Sequence, residues 1–305
     1  MTDLAVTDAE ALEVELEGPR RGPLRVLFSA AWKQHRTKIG LGITLLLVGI
    51  AVFGRLVAPY EPDQGVEGLL PFASPSSDAW FGTDSLGRDV LSRFLYGGLS
   101  VLVLSGLATA LGMALGITIG LLAAYSRGKL DDFLMRTMDV FISLPQIVFA
   151  LVLAATVGPK LWLLIVAVGL TTMPRAARIT RGAAAEVVER DYVRAAEAIG
   201  IPRRKIILSE LLPNVSSPLI AETTLRMSFN VAVVAGLSFL GFGLQPPAAD
   251  WGLMINENQN GLTLQPWPVL LPVIAIALLT IGTSLVGDGL ARAAIGIERG
   301  RTGGE

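Results

Sequence analysis

The sequence predicts an all-α protein that crosses a membrane several times. Hydrophobic residues fill 52% of its 305 positions, charged residues fill only 17%, and the mean hydropathy is +0.58. One soluble core cannot bury so much apolar surface, and that surface is gathered into blocks. A helix needs about 20 apolar residues to cross a bilayer, and the uncharged runs predict six such helices. They lie at residues 39 to 58, 99 to 125, 140 to 157, 161 to 173, 219 to 242 and 269 to 287.

These runs divide the chain into five parts. The parts are an N-terminal segment (1–38), the first transmembrane helix (39–58), an outer segment (59–98), a five-helix core (99–290) and a C-terminal tail (291–305). The first and fourth spans have fewer than 20 uncharged residues. Each therefore needs either flanking bases that extend to the membrane surface or a continuation into a buried helix.

The distribution of bases predicts the orientation. Segments on the side of the N-terminus hold 20 Lys and Arg residues, and those on the opposite side hold 3. Because bases are concentrated in cytoplasmic loops, both termini are predicted to be cytoplasmic. The first 19 residues contain six acids and no base, which is unlike a cleavable signal peptide.

Several kinds of site are not expected. The absence of cysteine excludes disulfides and thiolate metal sites. The single histidine, His35, lies in the basic stretch WKQHRTK, where a role at the membrane surface is expected and a metal site is not. The segment SRGKLDD lacks the residues of a nucleotide-binding P-loop, and no lipase-type serine motif is present. No catalytic residue is therefore assigned, and ATP hydrolysis would have to occur in another subunit.

A charged segment at residues 174 to 217 interrupts the apolar runs. It holds eight Lys or Arg residues and five acids, so it is predicted to lie in water. Within it, Asp191 is predicted to cap a helix over Tyr192 to Ile199, which Gly200 ends. A second helix is predicted from Arg203 to Leu211, closed by Pro213.

The two predicted helices form a compact corner. Ala195 and Ala196 are small enough for the first helix to seat in the groove of a partner protein. The alternative is an ordinary amphipathic connection, and residue spacing alone does not separate the two.

This segment resembles the EAA loop of the membrane subunits of binding-protein-dependent ABC importers. The matching residues are Arg194-Ala195-Ala196, Gly200 and Glu210-Leu211-Leu212-Pro213. Arg194 stands where the general pattern has Glu, and Glu210 stands where it has Ile. The resemblance implies that the loop couples to an ATPase subunit through Tyr192, Arg194, Ala195, Ala196, Glu197, Gly200 and Pro213.

Other segments resemble the dipeptide/oligopeptide/nickel permease family, specifically its C partner. They are WFGTDSLGRDVLSRFLYG, VAPYEP, LDDFLMRTMDVFISLP, FLGFGLQPPAADWGLMI and GDGL. The tail after GDGL departs from the family. The resemblance implies the type I ABC importer permease fold in a prokaryotic cell membrane.

The resemblance also implies partners. They are a second homologous permease subunit in a heterodimer, two ATP-binding subunits, an extracytoplasmic solute-binding protein and the lipid bilayer, with no nucleic acid. ATP and Mg are expected in the partner subunits, and this chain is expected to bind no cofactor. Peptides are the favoured cargo, with nickel chelates or glutathione as alternatives. A secondary transporter or channel and a membrane enzyme are the competing classes.

Two further groups of residues are candidates for function. Asp84, Arg88, Asp89 and Trp251 are assigned to an extracytoplasmic docking element, with Trp251 placed at the membrane interface. Glu222, Arg226, Ser228 and Asn230 lie in the fifth span and are candidates for lining the pathway, or for a structural ion pair and interhelical hydrogen bonds. In the second span, Gly112, Gly116 and Gly120 predict close helix packing.

Overall fold

The computed structural model describes residues 23–126 and 128–302; the remainder of the predicted N-terminal segment and the last three residues of the tail lie outside this range. The described part is helical, with two isolated β-bridges. Its α-helices are α1 Pro23–Trp32, α2 His35–Phe53, α3 Val90–Ser126, α4 Lys129–Ser143, α5 Gln146–Val157, α6 Leu161–Val188, α7 Asp191–Ala198, α8 Arg203–Ile206, α9 Leu212–Asn214, α10 Ser216–Phe239, α11 Trp251–Asn258 and α12 Trp267–Thr302. Short turns of other helix types are Gly54–Leu56 (3-10), Ile207–Leu211 (π) and Gln259–Gly261 (3-10).

Four stretches in the described part are long and apolar enough to cross a membrane. They are His35–Leu56, Val90–Ser126, Leu161–Val188 and Trp267–Ala294. The bent pair α4 and α5 can form a fifth span. At 24 residues, α10 is long enough, but it carries several polar side chains and does not reach the same apolarity. Six spans therefore remain a prediction.

The third predicted span, 140 to 157, is not one helix. Leu144 has an extended backbone (φ −87°, ψ 125°) and separates α4 from α5, which bend by 82° relative to each other. Proline disfavours helical geometry in the residue that precedes it, and Pro145 follows Leu144 directly. The break therefore has a local cause.

The fourth predicted span, 161 to 173, is too short. Helix α6 continues through Pro174 to Val188, so residues 174 to 188 belong to a helix and not to the loop. Two of its bases are paired with acids of α4: Arg181 with Asp131, and Arg178 with Asp139. These ion pairs explain why α6 carries basic residues on the side that faces α4.

Helix α3 begins nine residues before the predicted start at 99. The Oδ2 atom of Asp89 accepts hydrogen bonds from the Ser92 backbone N–H at 2.7 Å and from the Ser92 hydroxyl at 2.6 Å. Asp89 therefore caps the helix at Val90. The first turn also includes Arg93, whose charge is paired within the protein.

A row of glycines on α3 lets α6 approach closely, which confirms the predicted packing. A Cβ added at Gly116 would lie 2.5 Å from the Cβ of Ala176, and one at Gly112 would lie 2.7 Å from the carbonyl oxygen of Gly169. Only glycine fits at such distances. Gly106, on the same helix, faces open space.

The two ends of the helix bundle differ. At one end, residues 57–93 and 243–266 fold together, and we call this unit the ledge. The Ser85 N–H donates to Asn258 Oδ1 at 2.9 Å, and Gln265 Nε2 donates to the carbonyl of Ala73 at 2.9 Å. At the other end lies the corner loop, residues 189–215. The 37-residue α3, about 55 Å long at 1.5 Å per residue, connects the two ends.

Candidate functional site

The corner loop begins with α7, one residue earlier than predicted. The N-cap position is Arg190, which makes no capping hydrogen bond through its side chain. The prediction of Asp191 as the cap is therefore wrong. Asp191 lies in the first turn, where its negative charge is favourable beside the exposed N–H groups.

Gly200 ends α7 as predicted. Its φ is +79°, a left-handed conformation that glycine adopts without strain. The N–H of Gly200 donates to the carbonyl of Glu197, and the N–H of Ile201 donates to that of Ala196, both at 3.0 Å. These bonds satisfy the last carbonyls of the helix and turn the chain sharply.

The second helical segment runs farther than predicted. The chain is continuously helical from Arg203 to Asn214, with a π-helical turn over Ile207–Leu211. Pro213 therefore lies inside the helix and does not close it. The π-helical turn just before Pro213 already departs from regular α-helical hydrogen bonding, so the missing N–H of proline costs little there.

A hydrophobic cluster fixes the corner loop to the bundle. Its buried members are Leu121, Ala124, Ala184, Val187, Val188, Val193, Ala196, Ile206, Leu211, Val215 and Leu219. They come from α3, α6, α7, the second helical segment and α10. One side of the corner loop is therefore a hydrophobic surface that packs against the helix bundle.

The two alanines of α7 have different surroundings. Ala196 is buried in this cluster, so internal packing explains its small side chain. The expectation that both alanines seat in a partner is therefore corrected for Ala196. Ala195, the preceding residue, is exposed to solvent.

The exposed face of the corner carries more apolar surface than the sequence suggested. Ile199 is 77% exposed and Tyr192 is 40% exposed, and Arg194 and Ala195 are also open to solvent. Sequence reasoning did not single out Ile199. The available signal was a large apolar residue directly before the helix-ending glycine of a charged segment.

Side-chain contacts connect the corner loop to the end of α3. The carboxylate of Glu197 lies beside the hydroxyl of Tyr125, and the guanidinium of Arg203 lies 5.9 Å from the centre of the Tyr125 ring. Asn214 Nδ2 donates to the hydroxyl of Tyr192 at 3.2 Å. Asn214 therefore links the second helical segment to α7, and Tyr125 links the corner loop to the end of α3.

Two of the four residues assigned to the pathway turn inward. Asn230 is buried and joins three helices, because its Nδ2 donates to Thr109 Oγ1 at 2.9 Å and its Oδ1 accepts from Thr172 Oγ1 at 3.2 Å. Ser228 is buried and donates to the carbonyl of Thr224 at 3.2 Å. The Asn230 contacts match the interhelical hydrogen bonds of the structural alternative, whereas the Ser228 hydrogen bond stays within α10.

The other two form an ion pair on α10. Arg226 Nε lies 2.6 Å from Glu222 Oε1, but the atoms are not aligned for a hydrogen bond. The Arg226 guanidinium also lies 5.8 Å from the ring centre of Phe229, which is more than half exposed. The partly open side of α10 therefore carries Arg226 and Phe229.

The side chains assigned to docking are buried in the ledge. Asp84, Arg88 and Asp89 are each less than 5% exposed, so none presents a contact surface. Asp84 Oδ2 accepts from Arg88 Nε at 2.6 Å, and Glu257 Oε2 accepts from Arg88 at 2.9 Å and from Arg93 at 2.8 Å. Oppositely charged partners stabilise Asp84 and Arg88 in the interior, whereas Asp89 accepts hydrogen bonds from Ser92.

Trp251 is also buried, and its prediction as a membrane-interface residue is wrong. Its ring stacks on Phe94 with centres 5.5 Å apart, and its Nε1 donates to the carbonyl of Phe94 at 2.9 Å. Two adjacent glycines on α3 make room for it; a Cβ at Gly98 would lie 2.6 Å from the indole ring. Asp250 caps α11 by accepting from the Leu253 N–H at 3.1 Å.

Different residues form the outer surface of the ledge. Leu70, Trp80, Leu86 and Leu264 are each at least 65% exposed. Trp80 and Leu86 lie in the predicted docking segment, but their apolar side chains were not singled out. They leave the ledge with an apolar surface on which another protein could pack.

Comparison with known sequences places this architecture among transport proteins. Residues 116–295 match the family described as "Binding-protein-dependent transport system inner membrane component". The chain is 35% identical over 291 residues to a di/tripeptide transport system permease protein of Pseudomonas aeruginosa, covering 94% of this chain and 95% of the relative. It is 33% identical over 270 residues to a glutathione transport system permease protein of Pectobacterium atrosepticum, covering 88% and 90%.

Solved structures show the same fold. An inward-facing structure of the MetNI methionine ABC transporter aligns with a TM-score of 0.51 and 22% identity, covering 66% of this chain and 96% of the matched chain. The crystal structure of an amino acid ABC transporter with histidines also aligns at 0.51, with 18% identity, covering 66% and 93%. At these identities the likeness concerns the fold alone.

Proposed function

The chain belongs to the family of binding-protein-dependent transport system inner membrane components, and we propose that it forms half of a peptide pathway driven by ATP. A second, homologous permease subunit supplies the other half in a heterodimer. Two ATP-binding subunits hold ATP and Mg and carry out hydrolysis, so this chain is not itself an enzyme. Both termini and the corner loop lie in the cytoplasm, as the distribution of bases predicts.

The exposed face of the corner loop carries this proposal. Ala195 is exposed on α7, and the exposed Ile199 directly follows this helix, while Val193 and Ala196 fix α7 in the buried cluster. At eight residues, α7 is about 12 Å long, which suits insertion into a cleft of an ATPase subunit. Movement of that subunit would reach α3 through Tyr125, because Glu197 and Arg203 both contact this residue.

The opposite end of the bundle receives the cargo in this proposal. The apolar outer surface of the ledge faces the solute-binding protein. Within the membrane, the side of α10 that carries Arg226 and Phe229 faces the second permease half. Glu222 holds the Arg226 guanidinium in place, while Asn230 fixes α10 against α3 and α6.

Peptides are the proposed cargo, because relatives covering most of the chain carry peptide-transport names. Glutathione is the second candidate, since a relative of similar identity is named for it. Nickel chelates are the third candidate cargo. Uptake of a labelled dipeptide in cells expressing the complex, competed by unlabelled dipeptide, glutathione or a nickel chelate, would rank the three.

The coupling role is tested in a complex reconstituted with its ATPase subunits and binding protein. Ile199→Glu should abolish stimulation of ATP hydrolysis by the loaded binding protein, because a charge would have to be buried in the cleft. Ile199→Leu keeps the apolar volume and should retain stimulation. If Ile199→Glu left stimulation and uptake at the wild-type level, the corner would not be the coupling site.

A further inference from the structure

Helix α1 presents two apolar stripes, and the protein covers only one of them. Leu27 and Ala31 are almost fully buried in a cluster with residues of α10 and α12. One position farther along, Phe28 is 54% exposed and Trp32 is 57% exposed. Residues four apart lie on one face of a helix, so the two aromatic side chains form a single open stripe.

The position of α1 places this stripe at the level of the membrane surface. Only Lys33 and Gln34 separate α1 from α2, which begins the first apolar span. Gln34 Nε2 donates to the carbonyl of Gly289 at 3.2 Å and holds this turn against α12. Tryptophan is enriched at this depth because its ring is apolar and its N–H is polar.

The surroundings of the stripe are basic. Lys33, Arg36 and Lys38 are exposed, and the Nζ atom of Lys38 lies 5.9 Å from the Trp32 ring centre. From residue 18 to residue 38 the sequence contains six Lys or Arg residues and no Asp or Glu. On the helices packed against α1, the described acids are Glu222, which pairs with Arg226, and the partly buried Asp288.

We propose that α1 is an interfacial anchor for anionic phospholipids. Phe28 and Trp32 insert among the upper parts of the acyl chains, and the three bases bind the phosphate groups of lipids such as phosphatidylglycerol. Apolar insertion and electrostatic attraction to anionic headgroups reinforce each other in such helices. Because the buried stripe of α1 packs on α10 and α12, bound lipid would hold these helix ends in place.

The positive charge around the stripe favours an anionic lipid as its occupant. A zwitterionic lipid would satisfy the aromatic stripe but would leave the bases without an anionic partner. The acidic N-terminal segment, with six acids in its first 17 residues, is the competing occupant within the same chain. The experiment is designed to separate the two.

The test uses the chain assembled with its partner subunits in nanodiscs that contain lipids brominated on the acyl chains. The chain has five tryptophans, so the Trp32 signal is the difference between wild type and Trp32→Phe. Brominated phosphatidylglycerol should quench Trp32 more than brominated phosphatidylcholine does. In the triple variant Lys33→Gln, Arg36→Gln, Lys38→Gln, quenching should persist but the preference should disappear.

A matched control removes the same charge elsewhere. The triple variant Arg203→Gln, Arg204→Gln, Lys205→Gln in the corner loop should keep the preference for phosphatidylglycerol. Equal quenching by both lipids in the wild type, or no quenching of Trp32, would overturn the proposal. A preference that emerges only after deletion of residues 2–17 would show instead that the acidic segment occupies this surface.

Discussion

Arg93 and Glu257, 164 residues apart in the sequence, are joined by a 2.8 Å hydrogen bond between Arg93 Nη2 and Glu257 Oε2. Arg93 is fully buried in the first turn of α3, and Glu257 lies near the end of α11. The same carboxylate oxygen accepts from Arg88 at 2.9 Å. One carboxylate thus holds two guanidinium groups and fastens α11 to the start of α3.

Replacing this carboxylate should destabilise the ledge. Glu257→Gln leaves two buried guanidinium groups short of one negative charge, and breaking a buried ion pair costs about 3–5 kcal/mol. The thermal unfolding temperature of the purified complex should fall. Glu61→Gln removes an exposed carboxylate whose contact is the Tyr96 hydroxyl, at 3.3 Å, and should leave that temperature unchanged. Equal effects of the two substitutions would contradict this role of Glu257.

The glycine row on α3 gives a second prediction. Gly116→Val would force side-chain atoms into Ala176 of α6, and overpacking of this kind costs about 1–3 kcal/mol. We expect a smaller yield of folded, detergent-stable protein. Gly106→Val introduces the same side chain on the same helix, where it meets open space, and should preserve the yield. A similar loss at both positions would point to helix propensity and away from packing.

Local signals in the sequence predicted much of the helical framework. Apolar runs located the long helices, the glycine spacing predicted that another helix packs closely on α3, and the position of Gly200 predicted the end of α7. Each of these depends on neighbours within a few residues. Pro145 is a local signal of the same kind and indicates a break at Leu144. The length of the apolar run, however, predicted one continuous span.

Contacts between distant segments were not predictable in this way. Arg178 and Arg181 suggested a loop, because their partners Asp139 and Asp131 lie on another helix. Arg88 was assigned to a docking element, because nothing in the sequence pairs it with Glu257, 169 residues away. The burial of Ala196 likewise depends on Ile206 and Leu211, which only the folded corner brings beside it.

The topology can be tested directly because the chain contains no cysteine. A single cysteine at Ser76, which is exposed on the ledge, should react with an impermeant thiol reagent in intact cells. A single cysteine at Arg194, exposed on the corner loop, should react only after the membrane is permeabilised. The base distribution predicts this difference. Labelling at residue 194 from outside would overturn the proposed orientation.

The backbone of Gly200 gives the last prediction. A Cβ at this position would meet no atom of this chain within 4 Å, so within the chain a substitution acts through the φ of +79° and not through a clash. For an ordinary L-residue, left-handed backbone costs roughly 1–2 kcal/mol, and valine, with its branched Cβ, is unsuited to it. Gly200→Val should therefore loosen the corner and reduce the stimulation of ATP hydrolysis by the binding protein.

Asparagine serves as the matched substitution for this experiment. It also adds a side chain, but it tolerates left-handed backbone far better than valine does. Gly200→Asn should retain most of the stimulation, and both variants should insert in the membrane and assemble with the other subunits, because the buried base of the corner is unchanged. If Asn and Val reduced stimulation equally, contact of the added side chain with the ATPase subunit would be the cause. If neither reduced it, the geometry of the turn at Gly200 would not matter for coupling.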